Sequence, residues 1–178
     1  MKTDLSWTRG GAELEGGYRF KLWRRWNTGA TGRIVAFVML NPSRANATDD
    51  DNTVRRCIGF AKAWGYDGLD VVNLFAKIST DPRGLKDGDN PTGDPRCLEA
   101  LLESALGAVR VVVAWGVHGN DHNDRVVEVY AAFRRCAISL EAFLGATHGG
   151  QPRHPLRLAS SHPLQLWAMN RPHEEFAT

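Results

Sequence analysis

The chain has 178 residues, and its 22 Lys and Arg against 20 Asp and Glu give a formal net charge of +2. The hydrophobic fraction of 43% and the charged fraction of 24% lie near those of folded domains, which excludes a wholly disordered chain and a coiled coil. We expect a single domain spanning residues 1–178. No apolar run approaches the ~20 residues of a membrane helix. The amino terminus lacks the apolar segment of a signal peptide, so we expect a cytoplasmic protein.

The first predicted element is a β-hairpin at residues 12–26. Glu15, Gly16 and Gly17 supply its turn, and apolar side chains alternate with cations along its second strand. An unbroken apolar run follows at residues 34–40. Continuous apolarity of this length predicts a strand buried on both faces, as in a parallel sheet.

Helical and strand patterns then alternate along the chain. Helices are predicted at residues 52–64, 97–106 and 124–136, and strands at residues 69–74, 109–115 and 138–144. This alternation predicts a three-layer α/β/α sandwich around a central four-stranded parallel sheet. Residues 1–30 would form an N-terminal hairpin extension packed on that core. Ligands bind such sheets at the carboxyl ends of the strands, so the residues that follow each strand are the candidates for function.

Acidic residues are unevenly distributed. Residues 16–48 and 142–173 contain none, although both segments carry arginines and the second carries four histidines. If the two segments meet in space, they form a positive face that favours an anionic partner, either DNA or a nucleotide. Two ordinary solvated segments are the alternative.

The first predicted strand is followed by Asn41, Pro42, Ser43 and Arg44. Asn41 carries an amide that both donates and accepts, Pro42 rigidifies the exit from the strand, and Ser43 and Arg44 offer a hydroxyl and a cation. These residue types suit catalysis at Asn41 and substrate binding by the other three. A purely structural turn explains the same residues.

An acidic run at residues 49–51 precedes the first predicted helix. Its carboxylates suit helix capping, because they accept hydrogen bonds from the free N–H groups of the first turn. Asp50 or Asp51 can also orient a water molecule as a general base or hold a divalent cation. One run of acids can cap and catalyse together.

The second and third strands end in further polar and aromatic residues. Asn73 lies in an otherwise apolar strand, where a buried amide needs partners. It can read the edge of a planar base, with Phe75 to stack on its face, or close a loop. Trp115 ends the third strand and joins the predicted substrate-binding set. His118 and His122 have the four-residue spacing of a metal-binding pair on a helix, but Gly119 and Asn120 between them predict a turn, and no third ligand is placed.

The fourth strand leads into a Gly- and Pro-rich loop that contains Arg153 and His154. His154 can donate to a developing anion, and Arg153 can hold a phosphate. The three cysteines form no Cys-x-x-Cys pair and are too few for the usual four-ligand iron–sulfur cluster. The sequence therefore implies no metal and no other cofactor.

Short sequence strings along most of the chain resemble a bacterial and phage domain-of-unknown-function family, number sixteen forty-three. The strings are LNPS at 40–43, DDNT at 50–53, RC at 56–57, FA at 60–61, WGY at 64–66, NLFA at 73–76, DP at 81–82, AWG at 114–116 and RHPL at 153–156.

The predicted architecture also resembles, more distantly, the uracil-DNA glycosylase superfamily. Asn41-Pro42 stands where its mismatch-specific branch has Gly-x-Asn-Pro-Gly, Asn73 matches its base-reading asparagine, and Asp81-Pro82 matches a proline-containing loop. His154-Pro155 matches the start of its His-Pro-Ser motif. The sequence departs from the superfamily at three motif positions and lacks the iron–sulfur cysteines of the thermophilic branches. The three positions are Leu40 for glycine, Ser43 for glycine and Leu156 for serine.

The resemblance implies hydrolysis of the N-glycosidic bond of a modified or damaged nucleobase in DNA, as in base excision. Asn41 would position water with Asp50 or Asp51, and His154 would stabilise the departing base. DNA or a nucleotide is the expected partner, with no membrane and no obligate protein partner. The alternatives are a non-catalytic nucleic-acid or nucleotide binding module and another phage or nucleotide-metabolism enzyme using the same cleft.

Overall fold

The computed structural model describes residues 7–27, 32–81, 85, 90–92 and 95–169. Three helices and seven strands alternate in these residues. They are β1 (Arg9–Glu15), β2 (Tyr18–Arg25), β3 (Ile34–Met39), α1 (Asn52–Ala63), β4 (Gly68–Asn73), α2 (Pro95–Gly107), β5 (Arg110–Val113), α3 (Asn123–Arg135), β6 (Glu141–Phe143) and β7 (Leu164–Leu166). Two 3₁₀ turns, Val117–His122 and Pro155–Arg157, follow β5 and β6.

All seven strands form one sheet in the order β1-β2-β4-β3-β5-β6-β7. The four central strands, β4, β3, β5 and β6, are parallel, in agreement with the sequence. The prediction of a four-stranded sheet is nevertheless too small. The hairpin continues the sheet, because β2 pairs antiparallel with β4, and β7 adds an antiparallel strand beside β6. An edge strand of a four-stranded sheet leaves a row of N–H and C=O groups unpaired, and these two additions satisfy them.

The helices lie on both faces of the sheet. Val35 and Phe37 of β3 pack toward α1, whereas Ala36 and Val38 pack toward α2 and α3. Since both sets are fully buried, the continuous apolar run of β3 has the physical cause inferred from the sequence. Among the described residues, no helix is long and apolar enough to cross a membrane.

Connections at the carboxyl edge of the sheet create a crevice. β3 and β5 are neighbours, but the chain leaves β3 toward α1 on one face and leaves β5 toward α3 on the other. Neighbouring loops that diverge in this way leave room between them, which is where ligands bind in open α/β sheets.

Candidate functional site

A cavity of about 300 Å³ occupies this crevice. Its lining comes from the ends of β3, β4 and β5, from the start of α1, from β2 and from the loop after β6. The lining residues are Arg19, Met39, Leu40, Asn41, Ser43, Asp51, Thr53, Val54, Val71, Asn73, Ser79, Thr80, Trp115, His118 and His154. The volume lies at the lower end of the range of about 300–1,000 Å³ that is typical of small-molecule sites.

Six of the eleven residues predicted to form the site line this one cavity. They are Asn41, Ser43, Asp51, Asn73, Trp115 and His154. The other five, which are Pro42, Arg44, Asp50, Phe75 and Arg153, are not part of its lining. Residues far apart in sequence therefore converge at the carboxyl edge of the sheet, as parallel topology requires.

Asn41 is held in place by the loop that follows β4. Its Nδ2 donates to the carbonyl oxygens of Ser79, at 2.7 Å, and Pro42, at 3.0 Å. The Ser79 N–H in turn donates to the Pro42 carbonyl oxygen at 2.9 Å. Both amide hydrogens of Asn41 are thus engaged, so its side chain offers the cavity an acceptor, Oδ1, and no donor.

Asp51 caps α1 and lines the cavity at the same time. Its Oδ1 accepts a hydrogen bond from the Val54 N–H at 2.9 Å. A carboxylate has a second oxygen with further acceptor capacity, which is the requirement for binding a water or a ligand donor. The predicted capping of α1 is confirmed, and a catalytic role for Asp51 stays a prediction.

Asp50 has different surroundings. Its Oδ1 accepts from Arg24 Nε at 2.8 Å and its Oδ2 accepts from Trp7 Nε1 at 2.7 Å. The Arg24 guanidinium also lies over the Trp7 ring, 4.4 Å from its centroid. Asp50 therefore forms a buried ion pair that holds β2 against the loop before α1. It does not line the cavity, and its catalytic role stays a prediction.

Asn73 and Arg19 form the innermost polar part of the cavity. They are only 2% and 3% exposed, and Arg19 Nη2 lies 3.4 Å from Asn73 Oδ1. This contact sets the orientation of the amide and leaves Asn73 Nδ2 as the free donor. Neither Asn73 Nδ2 nor Arg19 Nε has a hydrogen-bond partner among the described residues.

Arg19 is the main residue of the cavity that the sequence pattern misassigned. Simple alternation along β2 puts Arg19 on the face opposite Leu22. The register against β1 shifts at this point, since Lys21 pairs with Glu13 and Arg19 with Leu14, which leaves Phe20 as an extra residue. This β-bulge re-aims Arg19 onto the α1 face, beside Leu22.

His154 lies where the loop after β6 returns to α1. Its Nδ1 accepts a 3.3 Å hydrogen bond from the Leu156 N–H, so the neutral ring carries its proton on Nε2. Burial lowers the pKa of His154, and the nearby Asp51 carboxylate opposes that shift. At neutral pH the ring is therefore an uncharged donor at the cavity wall.

Two contacts fix the loop that carries His154. Arg56 of α1 donates to the Leu158 carbonyl oxygen and, at 3.0 Å, to Ser160 Oγ. On the other side, a Cβ built on Gly116 would lie 3.2 Å from His154 Cβ. Gly116 also has a positive φ of 80°. Glycine fits this position because it has no side chain to crowd His154 and adopts a positive φ without strain.

Trp115 forms an apolar wall of the cavity and is 3% exposed. Its Nε1 donates to Gln151 Oε1 at 2.8 Å. Its ring meets Trp167 edge-on with a centroid distance of 5.2 Å. A buried indole with its N–H satisfied presents a flat apolar surface, which suits packing against a planar ring.

Four of the predicted residues outside the lining lie near it or in the core. Phe75 is buried and meets the His122 ring edge-on, so it packs in the core. Pro42 lies between two residues of the lining. Arg44 and Arg153 directly adjoin Ser43 and His154 in sequence, and Arg44 is exposed. Their predicted contact with flanking phosphates stays a prediction.

Sequence reasoning also missed the hydroxyl residues of the lining, Thr53, Ser79 and Thr80. Thr53 is the second residue of α1, where its identity carries no distinctive signal. Pro82 of the predicted proline-containing loop lies outside the described residues. Within the described ranges, no three His, Cys, Asp or Glu side chains cluster in a way that could hold a metal ion.

Comparison with known proteins shows one match. No curated protein and no solved structure matches the chain significantly. A family model described as "Protein of unknown function (DUF1643)" matches residues 19–156 and confirms the family inferred from the sequence strings. The matched region contains every residue that lines the cavity. Because the match covers most of the chain, the protein belongs to the DUF1643 family.

Proposed function

We propose that the protein hydrolyses the N-glycosidic bond of a modified or damaged nucleobase in DNA. The observation that carries this proposal is the convergence of Asn41, Asp51, Asn73 and His154 on one cavity. Glycosidic hydrolysis needs an oriented water, a donor to the departing base and a pocket for a base outside the helical stack. These four side chains and the cavity supply each requirement.

The first role is activation of water. Asn41 offers an acceptor that its two carbonyl contacts hold in place, and Asp51 offers a carboxylate at the same cavity. In the proposed step, the water oxygen forms a bond to C1′ of the sugar while Asp51 accepts the water proton. The C1′–N bond breaks, and its electron pair leaves with the base.

The second role is stabilisation of the leaving base. His154 is neutral at pH 7 and its Nδ1 is occupied by the Leu156 N–H. Its Nε2–H is then free to donate to the oxygen on which negative charge develops. A fixed neutral donor in a half-buried site stabilises such charge by a few kcal/mol. The base anion takes a proton from solvent after release.

The third role is recognition of the base. The Trp115 ring supplies a flat apolar wall, and Asn73 supplies an oriented amide donor deep in the cavity. Arg44 and Arg153 flank the lining in sequence and suit the phosphates on either side of an extruded nucleotide. Their side chains are cationic in a protein whose net charge is only +2.

The test is incubation with oligonucleotides that carry a panel of modified bases, in single and double strands, followed by alkaline cleavage of abasic sites. The proposal predicts abasic product for at least one base. It also predicts loss of product in Asn41→Ala and His154→Ala, and retention in Arg135→Gln. Arg135 is an exposed cation at the last turn of α3 and serves as the matched control. Retarded migration of DNA without abasic product across the panel would favour the binding-module alternative and refute the catalytic assignment.

A further inference from the structure

The cavity has a floor that differs chemically from its rim. Asn41, Asp51 and His154 are half-buried and form the rim, whereas Arg19, Asn73 and Trp115 are at most 3% exposed. The floor therefore contains a guanidinium and an amide in a setting shielded from water, where electrostatic interactions are strong.

Arg19 lacks a directly contacting carboxylate among the described residues. No described Asp or Glu forms an ion pair with it; its contacts are the Ala45 carbonyl oxygen at 2.8 Å and Asn73 Oδ1 at 3.4 Å. Burial lowers the pKa of Arg19 to about 10, and the Asp51 carboxylate offsets only part of that effect. The Asp51 charge is in addition offset by the amino end of α1, which it caps.

A second buried arginine on the same strand shows the contrast. Arg24 is 0% exposed, and it meets the Asp50 carboxylate at 2.8 Å. Buried charges in proteins are generally paired in this way. Arg19, whose side chain lines the cavity, forms no such ion pair with the described residues.

Two donors at the floor also lack acceptors. Arg19 Nε and Asn73 Nδ2 have no hydrogen-bond partner among the described residues. A buried donor without a partner is costly and rare in folded proteins. Two such donors on adjacent side chains, one of them charged, indicate that a ligand supplies the missing acceptors.

We propose that the floor of the cavity is an anion subsite, in which Arg19 and Asn73 receive a negatively charged carboxylate or phosphate group of the ligand. Guanidinium groups bind both anions through paired, charge-assisted hydrogen bonds. The meaning of this subsite for catalysis rests on the proposed function: the base that enters carries an acidic substituent. If a nucleotide is the ligand instead, its phosphate occupies the same place.

The test is a thermal-shift titration of the full chain at constant ionic strength with three probes. Orotate is a pyrimidine with a carboxylate, uracil is its neutral counterpart, and inorganic phosphate represents the other source of charge. The subsite predicts a saturable rise in Tm with orotate or phosphate and a much smaller one with uracil. A response to orotate alone assigns the charge to the base, and a response to phosphate alone assigns it to a nucleotide phosphate.

Variants identify the residue responsible. Arg19→Gln is expected to weaken anion binding about 10- to 100-fold, from the usual strength of hydrogen bonds to charged groups. Arg19→Lys is expected to retain part of the response, and Arg135→Gln all of it. Should Arg19→Gln fail to fold, the Nε–H resonance of Arg19 in the wild-type protein provides the readout, because it should move when the anion is added.

Three results would overturn the subsite: a shift with uracil as large as that with the responding anion, no shift with either anion, or an unchanged shift in Arg19→Gln. The proposed function fails separately. Anion binding that depends on Arg19, without abasic product, leaves the subsite intact and removes the glycosylase activity. Abasic product from a neutral base, without anion binding, supports the glycosylase activity and refutes the subsite.

Discussion

The same substitution at Asp50 and at Asp51 separates an effect on stability from an effect on catalysis. Asp50→Asn removes the negative partner of Arg24, whose side chain is 0% exposed, whereas the Asp50 side chain is 8% exposed. Asp51→Asn keeps an acceptor for the Val54 N–H and removes only the charge from the cavity. Asn caps helices about as well as Asp. We therefore expect opposite effects from the same substitution at neighbouring positions.

The magnitudes follow from the surroundings of each carboxylate. Removing one partner of a buried ion pair costs about 3–5 kcal/mol, which corresponds to a Tm decrease of roughly 6–20 °C in a chain of this size. Asp51→Asn loses the interaction of a charge with the helix end, worth about 0.3–1 kcal/mol, together with the partial compensation of the Arg19 charge. Because no ion pair of the described residues is broken, its Tm should decrease by less than that of Asp50→Asn. Loss of a general base lowers the rate by about 10²–10⁴-fold.

The assay combines a thermal melt with single-turnover formation of abasic product, measured at a temperature where both variants are folded. Asp50→Asn should lose stability and keep most of its activity per folded molecule, and Asp51→Asn should do the opposite. Full activity in Asp51→Asn would show that Asp51 is a cap only. A stable but inactive Asp50→Asn would return the catalytic role to Asp50.

Further predictions concern packing and pH. Gly119→Ala should lower the free energy of unfolding by about 1–3 kcal/mol through overpacking, because the added Cβ would lie 2.5 Å from Trp115 Cδ1. A Cβ added at Gly59 of α1 has no neighbouring atom within 4 Å. Gly59→Ala should therefore raise the free energy of unfolding by about 0.5–1 kcal/mol. Denaturant melts check both, and equal effects would contradict the packing argument. Burial lowers the pKa of His154, so the unfolded chain binds the proton more tightly than the folded protein does. The neutral ring therefore contributes to stability above the unfolded pKa of about 6.5. This contribution is lost as the pH falls through the folded pKa. His154→Asn, which keeps an acceptor for the Leu156 N–H, should flatten this part of the stability profile, and an unchanged profile would contradict it.

Much of the fold follows from sequence periodicity. Continuous apolar runs predicted the buried parallel strands, and helix signals placed α1 and α3 within a residue or two of their observed ends. The edges of the sheet were harder to predict. β7 has only three residues, Leu164–Leu166, which is too short for a periodic pattern. Its formation depends on pairing with β6, a tertiary effect that local sequence does not encode.

The candidate site shows the same division. Asn41, Asn73 and His154 could be predicted because polar residues after apolar strands meet at one edge of a parallel sheet. Arg19 could not, because strict alternation fails at the bulge around Phe20. Whether Asp50 or Asp51 faces the cavity depends on the buried position of Arg24, which draws Asp50 away.

The central claim is that the cavity residues catalyse attack of water on C1′ of a nucleotide. The most direct measurement is mass spectrometry of the products formed from a responsive oligonucleotide in water enriched in oxygen-18. We predict a free base without heavy oxygen and an abasic strand that carries it at C1′ when the products are reduced with borohydride at once, before the open-chain aldehyde exchanges its oxygen with solvent. Asp51→Asn should form both products about 10²–10⁴-fold more slowly. Heavy oxygen on the base or on a phosphate, or formation of both products by Asp51→Asn at the wild-type rate, would contradict this mechanism.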